Sequence, residues 1–153
     1  SEDAYLRTGD LGFLIGGELH IAGRIKDLII LNGRNIYPQD VELAAEGAHP
    51  ILRRGCVAAF AVDGDDGERL AVVCESAESD EAAYAAACAA IRAAVARELE
   101  VEVHAVALIP PGAIPKTSSG KIQRSRARAM SAKGDFQPVY TARFDLAVPA
   151  APA

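Results

Sequence analysis

Two glycine-containing turns in the first 36 residues constrain the fold of this chain most strongly. Gly16-Gly17 and Asn32-Gly33 each separate two short runs with strand character. Glycine, and asparagine that precedes glycine, readily adopt the positive φ angles that a two-residue β-hairpin turn requires. The segment therefore predicts two successive antiparallel hairpins, joined by a polar break at 23–27.

Three later stretches have the composition and spacing of helices. Pro38 suits the first turn of the first helix, and Ser79 or Asp80 can cap the second, which is rich in alanine. The third is the basic stretch 123–133. We expect one stripe of the second helix to face the core. That stripe comprises Tyr84, Cys88, Ile91, Val95 and Leu99.

Apolar runs at 56–62, 70–74 and 103–109 predict strands. The first two are joined by the Asp- and Gly-rich loop 63–67, so we expect them to pair antiparallel. The predicted fold class is α+β, with N-terminal hairpins leading into a central sheet of roughly three strands that is flanked by helices. Periodicity is lost at the end of the chain, where 135–153 is expected to be a tail or linker.

Length and charge narrow the class of protein. The chain has 153 residues, enough for one modest core, and its net charge of −5 argues against general nucleic-acid binding. Acidic residues gather near the start and at 63–81, whereas the last third is basic. A local anion site is therefore expected, rather than a track for a polyanion. No apolar stretch of the sequence is long enough for a membrane span.

Cys56, Cys74 and Cys88 are widely spaced along the chain. An odd number at this spacing suits neither a disulfide framework nor a metal site. We expect free, buried thiols, which are typical of a reducing compartment and predict a cytoplasmic protein. No metal-binding residue is predicted in this chain.

The stretch 114–124 is the part of the chain that most clearly serves chemistry. Its proline, hydroxyl residues and glycine suit neither a strand nor a helix start, so they predict an exposed loop with Lys121 at its end. No carboxylate occurs in 103–134, and Lys121 is therefore available to an anion from elsewhere. A phosphate-binding P-loop is excluded, because Pro115 and Ile122 stand where that motif needs a glycine and a hydroxyl. A solvated loop is the alternative. The basic neighbours are expected to form a solvated face: Lys116, Arg124, Arg126 and Arg128.

Four motifs occur in an order and spacing that is more specific than any one of them. They are Tyr-Leu-Arg-Thr-Gly-Asp at 5–10, Gly-Arg-Ile-Lys-Asp at 23–27, Asn-Gly-Arg-Asn-Ile-Tyr-Pro-Gln-Asp-Val-Glu at 32–42 and Pro-Lys-Thr-Ser-Ser-Gly-Lys at 115–121. With these motifs the chain resembles the adenylate-forming superfamily, which contains acyl-CoA synthetases, nonribosomal-peptide adenylation domains and luciferases. The wording Tyr-Pro-Gln-Asp-Val-Glu, followed by Ala-His-Pro at 48–50, most resembles the fatty acyl-AMP ligases.

The resemblance implies a division of the chain and a reaction. Residues 1–26 would end a large N-terminal domain and contain the hinge, 27–134 would form the mobile C-terminal domain, and 135–153 the tail. A fatty acid and ATP would give acyl-AMP and pyrophosphate, and a phosphopantetheine thiol of an acyl carrier protein would then take the acyl group. The alternatives are a fatty acyl-CoA synthetase that uses CoA as acceptor and a non-catalytic carrier-docking module.

The resemblance also implies partners. They are the chain's own large N-terminal domain, a fatty acid, an acyl carrier protein or CoA, and ATP with Mg²⁺. The Mg²⁺ ligands are expected on the missing N-terminal domain. Neither nucleic acid nor a membrane span is expected. Because the acyl pocket would lie on the large domain, this chain alone is expected to be inactive.

The matching motifs imply roles for five residues. Lys121 resembles the lysine that stabilises charge in the adenylation step. Asp10 resembles the carboxylate that accepts hydrogen bonds from the ribose hydroxyls of ATP, and Arg24 the arginine that contacts the nucleotide nearby. Lys26 occupies the hinge position, and Gly33 matches the glycine of the pantetheine tunnel. Ordinary turn residues would also explain Asp10, Arg24 and Gly33.

Overall fold

The computed structural model describes residues 9–144, apart from the side chains of Ala22 and Gly23. Two N-terminal hairpins, separated by a short 3-10 turn at Ile25–Asp27, lead into a mixed domain of strands and helices. The bounds are β1 Asp10–Ile15, β2 Glu18–Arg24, β3 Ile29–Leu31, β4 Arg34–Ile36, α1 Pro38–Glu46, β5 Leu52–Gly64, β6 Gly67–Ser76, α2 Glu81–Leu99, β7 Val103–Ile109, α3 Arg124–Lys133 and β8 Tyr140–Arg143.

Both predicted hairpins are confirmed. β1 pairs antiparallel with β2 across Gly16 and Gly17, and β3 pairs antiparallel with β4 across Asn32 and Gly33. The φ angles are 50° at Asn32 and 75° at Gly33, the left-handed conformation that a tight hairpin turn requires. Turn chemistry therefore accounts for the first part of the fold.

The main sheet has the strand order β5-β6-β7-β8. β5 and β6 form the predicted antiparallel pair, and β6 and β7 run parallel. Parallel neighbours need a long crossover connection, which α2 supplies. Asp80 caps this helix, because its side chain accepts a hydrogen bond from the backbone N–H of Ala83 at 2.8 Å. The α+β fold class is thus confirmed, and Asp80 is the cap.

The end of the chain differs from expectation. Tyr140–Arg143 was predicted to lie in a tail, but it forms β8 and pairs antiparallel with β7, so the sheet has four strands rather than about three. The backbone N–H of Phe144 donates to His104 at 2.7 Å. Four residues are too few for a period to stand out in sequence, and the free edge of β7 decides the pairing. The rest of the predicted tail, 145–153, lies outside the described residues.

Apolar side chains cover both faces of the sheet. One cluster packs against α1 and α2 and contains four residues of the predicted stripe, with Leu99 partly buried beside it. The second cluster lies on the opposite face and includes Ile109, Ile114 and Ala127. The chain that follows β7 and the inner side of α3 pack against this cluster. The core therefore fixes both ends of the segment that carries Lys121.

The three cysteines are free and buried, as predicted. Burial raises the pKa of Cys74 to about 12 and that of Cys88 to about 11, so both remain protonated thiols at neutral pH. Among residues 9–144, no helix combines the length and the apolar character that crossing a membrane requires.

Candidate active site

The segment that carries Lys121 is a narrow loop closed at its base. Lys116 and Ile122 form an isolated antiparallel bridge, and the N–H of Gln123 donates to the carbonyl of Pro115 at 3.0 Å. Inside the loop, the N–H of Lys121 donates to Thr117 Oγ1 at 3.1 Å, and the Lys121 carbonyl accepts from Thr117 N–H at 2.8 Å. Backbone bonds therefore hold Lys121 at one place, while its side chain is exposed.

A buried carboxylate anchors the chain just before this loop. Glu75 Oε1 accepts a hydrogen bond from Ile114 N–H at 3.0 Å, and its Oε2 accepts from Arg53 at 3.2 Å. Burial by itself raises the pKa of Glu75, but the backbone donors of Ile114 and Gly112, the Cys56 thiol and Arg53 outweigh it, so the pKa is lowered. A negative charge on β6 thus holds the start of the loop.

Four of the predicted site residues line a single cleft. Asp10, Arg24, Lys26 and Lys121 border this space of about 860 Å³ between the first hairpin and the loop. Asp10 and Arg24 are cross-strand partners, with Arg24 Nε 3.8 Å from the Asp10 carboxylate. Within the part of the chain that the structure describes, the Lys121 ammonium group has no hydrogen bond or ion pair. The cleft therefore offers a carboxylate and several cations to a ligand.

Gly33 is not part of this cleft. It lies in the turn between β3 and β4, and a Cβ atom added there would meet nothing within 4 Å. Its positive φ angle explains the glycine, because other residues rarely adopt that conformation.

Arg124 does not belong to a solvated face, contrary to prediction. Its side chain is 21% exposed, and its Nη2 donates to the Glu42 carboxylate at 3.0 Å while Nη1 lies 3.6 Å from Asp27. Burial alone lowers the pKa of Arg124, but hydrogen bonds and charge from Glu42 and Asp27 outweigh it, so the pKa is raised. Glu42 and Arg124 are 82 residues apart, so no local pattern indicated this pair.

The other basic neighbours are exposed, as predicted. Arg128 lies 3.8 Å from Asp63 in an ion pair whose two side chains are open to solvent. Lys116 has a more specific contact, since its ammonium donates to Cys56 Sγ at 3.3 Å.

Several residues that border the cleft were not predicted as site residues, Gln39 and Thr117 among them. Gln39 lies inside the motif at 32–42 and Thr117 inside the motif at 115–121, so the motifs themselves were the signal. No group of three or more His, Cys, Asp or Glu side chains that could hold a metal ion occurs in residues 9–144. The described part of the cleft can bind anions and a hydroxyl donor, but it does not provide a metal site.

Comparison with known proteins identifies relatives over nearly the whole chain. The chain is 51% identical over 135 residues to the medium-chain-fatty-acid–[acyl-carrier-protein] ligase JamA of Moorena producens, an alignment that covers 87% of this chain and 23% of JamA. It is 44% identical over 137 residues to a putative acyl-CoA synthetase of Caulobacter vibrioides, with 88% and 23% covered. The chain therefore spans less than a quarter of the length of these relatives.

A solved structure shares the fold. In a structural study of fatty acyl-adenylate ligases from E. coli and L. pneumophila, one chain superimposes with a TM-score of 0.71 at 41% identity, over 85% of this chain and 23% of that one. The predicted resemblance to adenylate-forming enzymes is thus confirmed. Residues 26–138 match the family model described as Disco-interacting protein 2-like, AMP domain. This match covers most of the chain, which therefore belongs to that AMP-domain family.

Proposed function

We propose that this chain is the C-terminal part of an ATP-dependent fatty acyl-AMP ligase. In the first step, a fatty acid carboxylate attacks the α-phosphate of ATP, giving acyl-AMP and releasing pyrophosphate. In the second, the phosphopantetheine thiol of an acyl carrier protein displaces AMP and becomes a thioester. The observation that carries the proposal is the meeting of Asp10, Arg24, Lys26 and Lys121 around one cleft.

Lys121 is the proposed catalytic residue. Negative charge builds up on the pentacoordinate α-phosphate while the acyl carboxylate and pyrophosphate, both anions, lie close by. A compact ammonium group can bridge carboxylate and phosphate oxygens and stabilise that charge. Backbone hydrogen bonds to Thr117 hold the loop in place, so little reorganisation is needed during the reaction.

Asp10 and Arg24 are proposed to bind the nucleotide. An ionised carboxylate only accepts hydrogen bonds, which suits the two ribose hydroxyls, and a guanidinium next to it suits the phosphate side. Magnesium accompanies ATP in this chemistry. Because the described residues do not furnish a metal site, its ligands are proposed to lie on the large N-terminal domain, and no step assigned to this chain depends on them.

Exposed apolar side chains support the proposed division of the chain at residue 26. Leu14 is 71% and Leu19 67% exposed on the first hairpin, whereas the middle parts of β5 and β6 in the main sheet are buried on both faces. An apolar hairpin of this kind suits packing against a large domain. Residues 1–26 are therefore proposed to belong to the N-terminal domain, and 27–134, extended by β8, to the mobile domain.

Lys26 is the proposed hinge. It is exposed in the 3-10 turn Ile25–Asp27, between the two hairpins. A bend at this point would rotate the mobile domain after adenylation, withdraw Lys121 from the phosphate and bring the turn at Gly33 towards the incoming pantetheine arm.

The acceptor is proposed to be a carrier protein. JamA is named as a ligase of an acyl carrier protein, and the motif at 37–42 points to the same group. The relative named as a putative acyl-CoA synthetase supports CoA as the second candidate. A docking module without catalysis would need neither Asp10 nor Lys121, so it is the less economical interpretation.

The test is Lys121→Ala in the full-length protein. Acyl-AMP formation, followed by ATP–pyrophosphate exchange, is expected to slow by roughly 10²–10³-fold, the scale for losing one charge-stabilising group. Transfer from preformed acyl-AMP to the thiol is expected to change much less, because the domain would have moved Lys121 away. Lys133→Ala, at the exposed end of α3, is the matched control. Equal exchange rates in the wild type and the Lys121 variant would overturn the proposal.

A further inference from the structure

The guanidinium group of Arg124 joins three separate parts of the chain. Nε and Nη2 hold the Glu42 carboxylate on α1 in the forked geometry that a planar guanidinium favours. Nη1 lies 3.6 Å from Asp27, the residue that follows Lys26. Arg124 itself begins α3, three residues after Lys121. The side chains of Glu42 and Asp27 are 11% and 14% exposed, so the cluster is largely shielded from water.

The position of Arg124 is unfavourable for a helix considered alone. A cation at a helix N-terminus opposes the helix dipole, where acidic side chains are favoured. The first turn of α3 contains no acidic residue, and the side chain of its N-cap, Gln123, makes no capping hydrogen bond. The start of α3 is therefore held by tertiary contacts to Glu42 and Asp27, and not by a local cap.

Stability does not explain this cluster well. The cost of removing two charges from water often cancels their attraction, so a buried ion pair commonly adds little net stability. What it does add is a defined geometry between the elements it joins. In the same helix, Arg128 pairs with Asp63 near the end of β5, but this pair is open to solvent and imposes no comparable constraint.

We propose that Arg124 is a positioning residue that makes the hinge and the Lys121 loop move as one rigid body. This inference rests on the proposed function. Asp27 is the first residue beyond the proposed hinge, and it pairs with Arg124. Arg124 directly follows Gln123, whose N–H donates to the Pro115 carbonyl and closes the base of the Lys121 loop. Rotation at Lys26 would thus set the place of the Lys121 ammonium group. Arg124 borders the cleft as well, but its guanidinium group is engaged by Glu42 and Asp27, so its proposed role is to place Lys121 and not to bind the nucleotide.

The test is Arg124→Lys in the full-length protein. Lysine keeps the positive charge but cannot make the two parallel hydrogen bonds that the guanidinium group makes to Glu42. The kcat of acyl-AMP formation is expected to fall about 10- to 100-fold, the scale for a small misplacement of a catalytic group. The KM for ATP and the transfer of acyl groups from preformed acyl-AMP are expected to change little. Hydrogen–deuterium exchange is expected to rise in peptides that cover 25–28 and 116–123. Glu42→Gln should act in the same direction, and Arg128→Lys is the control on α3.

Several outcomes overturn the inference. If the wild type forms acyl-AMP and Arg124→Lys does so at the same kcat, the inference fails while the proposed function stands. A raised KM for ATP at unchanged kcat would mean that Arg124 binds the nucleotide directly. If Arg124→Lys loses both half-reactions and hydrogen–deuterium exchange becomes faster throughout residues 27–138, the role of Arg124 is purely structural. If the wild-type protein forms no acyl-AMP, the proposed function fails first.

Discussion

Among single residues, Glu75 has a well-defined energetic role at the base of the Lys121 loop. It is only 2% exposed, and it is kept ionised by donors from the loop backbone and from Arg53. An ionised carboxylate that accepts several hydrogen bonds stabilises the folded state as long as it stays charged. The lowered pKa therefore predicts how the stability of the chain depends on pH.

Glu75→Gln is expected to lower the free energy of unfolding by about 1–3 kcal/mol at pH 7, the cost of weakening charge-assisted hydrogen bonds in a buried site. The pKa of Glu75 is lower in the folded state than in the unfolded state, where it is roughly 4.3. The stabilisation that the charged Glu75 provides is therefore complete above the unfolded-state pKa and is lost as the pH falls through the folded-state pKa. The difference between wild type and variant should therefore shrink below about pH 4. Urea unfolding of both proteins from acid to neutral pH measures it.

Glu98→Gln, on the exposed side of α2, is the matched control and is expected to leave stability nearly unchanged. Equal stability of the wild type and Glu75→Gln at pH 7 would contradict the assigned role, and so would a difference that stays constant into acid.

At the scale of elements, the 3-10 turn Ile25–Asp27 links the two hairpins. It is closed by a backbone bond from Leu28 N–H to the Ile25 carbonyl at 3.2 Å, and Ile25 N–H donates back to Gly9 at 2.8 Å. None of the three residues in the turn is buried. A short turn whose first two residues, Ile25 and Lys26, are exposed is well suited to absorb a large change in φ and ψ.

Lys26→Pro in the full-length protein is expected to trap the domain in the orientation seen here. Proline fixes φ near −65°, a value that a 3-10 turn uses. Adenylation should survive, since Asp10 and Lys121 face the same cleft in this orientation, while thiol transfer should fall on the order of tenfold or more. Separate assays of the two half-reactions measure the effect.

Lys26→Ala is the control for this substitution, because it removes the ammonium group but leaves φ free, and both half-reactions should persist. Wild-type rates for both steps in Lys26→Pro would place the bend elsewhere in the chain.

For the whole molecule, charge distribution bears on the choice of acceptor. The net charge is −5, yet Arg24, Lys26 and Lys121 line the same cleft. CoA carries an anionic 3′-phospho-ADP head that needs a basic surface, whereas a carrier protein presents an acidic helix and the same pantetheine arm. Basic groups of this cleft suit either acceptor, so CoA and the carrier protein have to be compared in the same assay.

The full-length protein, supplied with ATP, a fatty acid and CoA, is expected to accumulate acyl-AMP. Addition of the phosphopantetheinylated carrier protein should consume the acyl-AMP and yield acyl-carrier thioester. Carrier protein without its phosphopantetheine arm is the control. Efficient formation of acyl-CoA would instead identify an acyl-CoA synthetase.

Features that depend on neighbouring residues were predictable from the sequence. Asn32-Gly33 determined its own turn, the stripe from Tyr84 to Val95 determined the buried face of α2, and the composition of 114–124 indicated the Lys121 loop. Each depends on backbone preferences or on a repeating period within a short window. The order of the motifs indicated the family, and it also predicted site residues, four of which border one cleft.

Tertiary structure alone decided the features that depend on distant partners. Tyr140–Arg143 becomes a strand because the edge of β7 offers unpaired backbone groups. Arg124 is largely shielded because α1 and the turn Ile25–Asp27 bring Glu42 and Asp27 against it, and a lone arginine in a basic run gives no sign of this. Glu75 meets Ile114 only once β6 and the chain after β7 are side by side. In all three cases the stabilising contact joins segments that are far apart in sequence. Such a contact exists only after folding has brought the two segments together, so no short window of sequence indicates it.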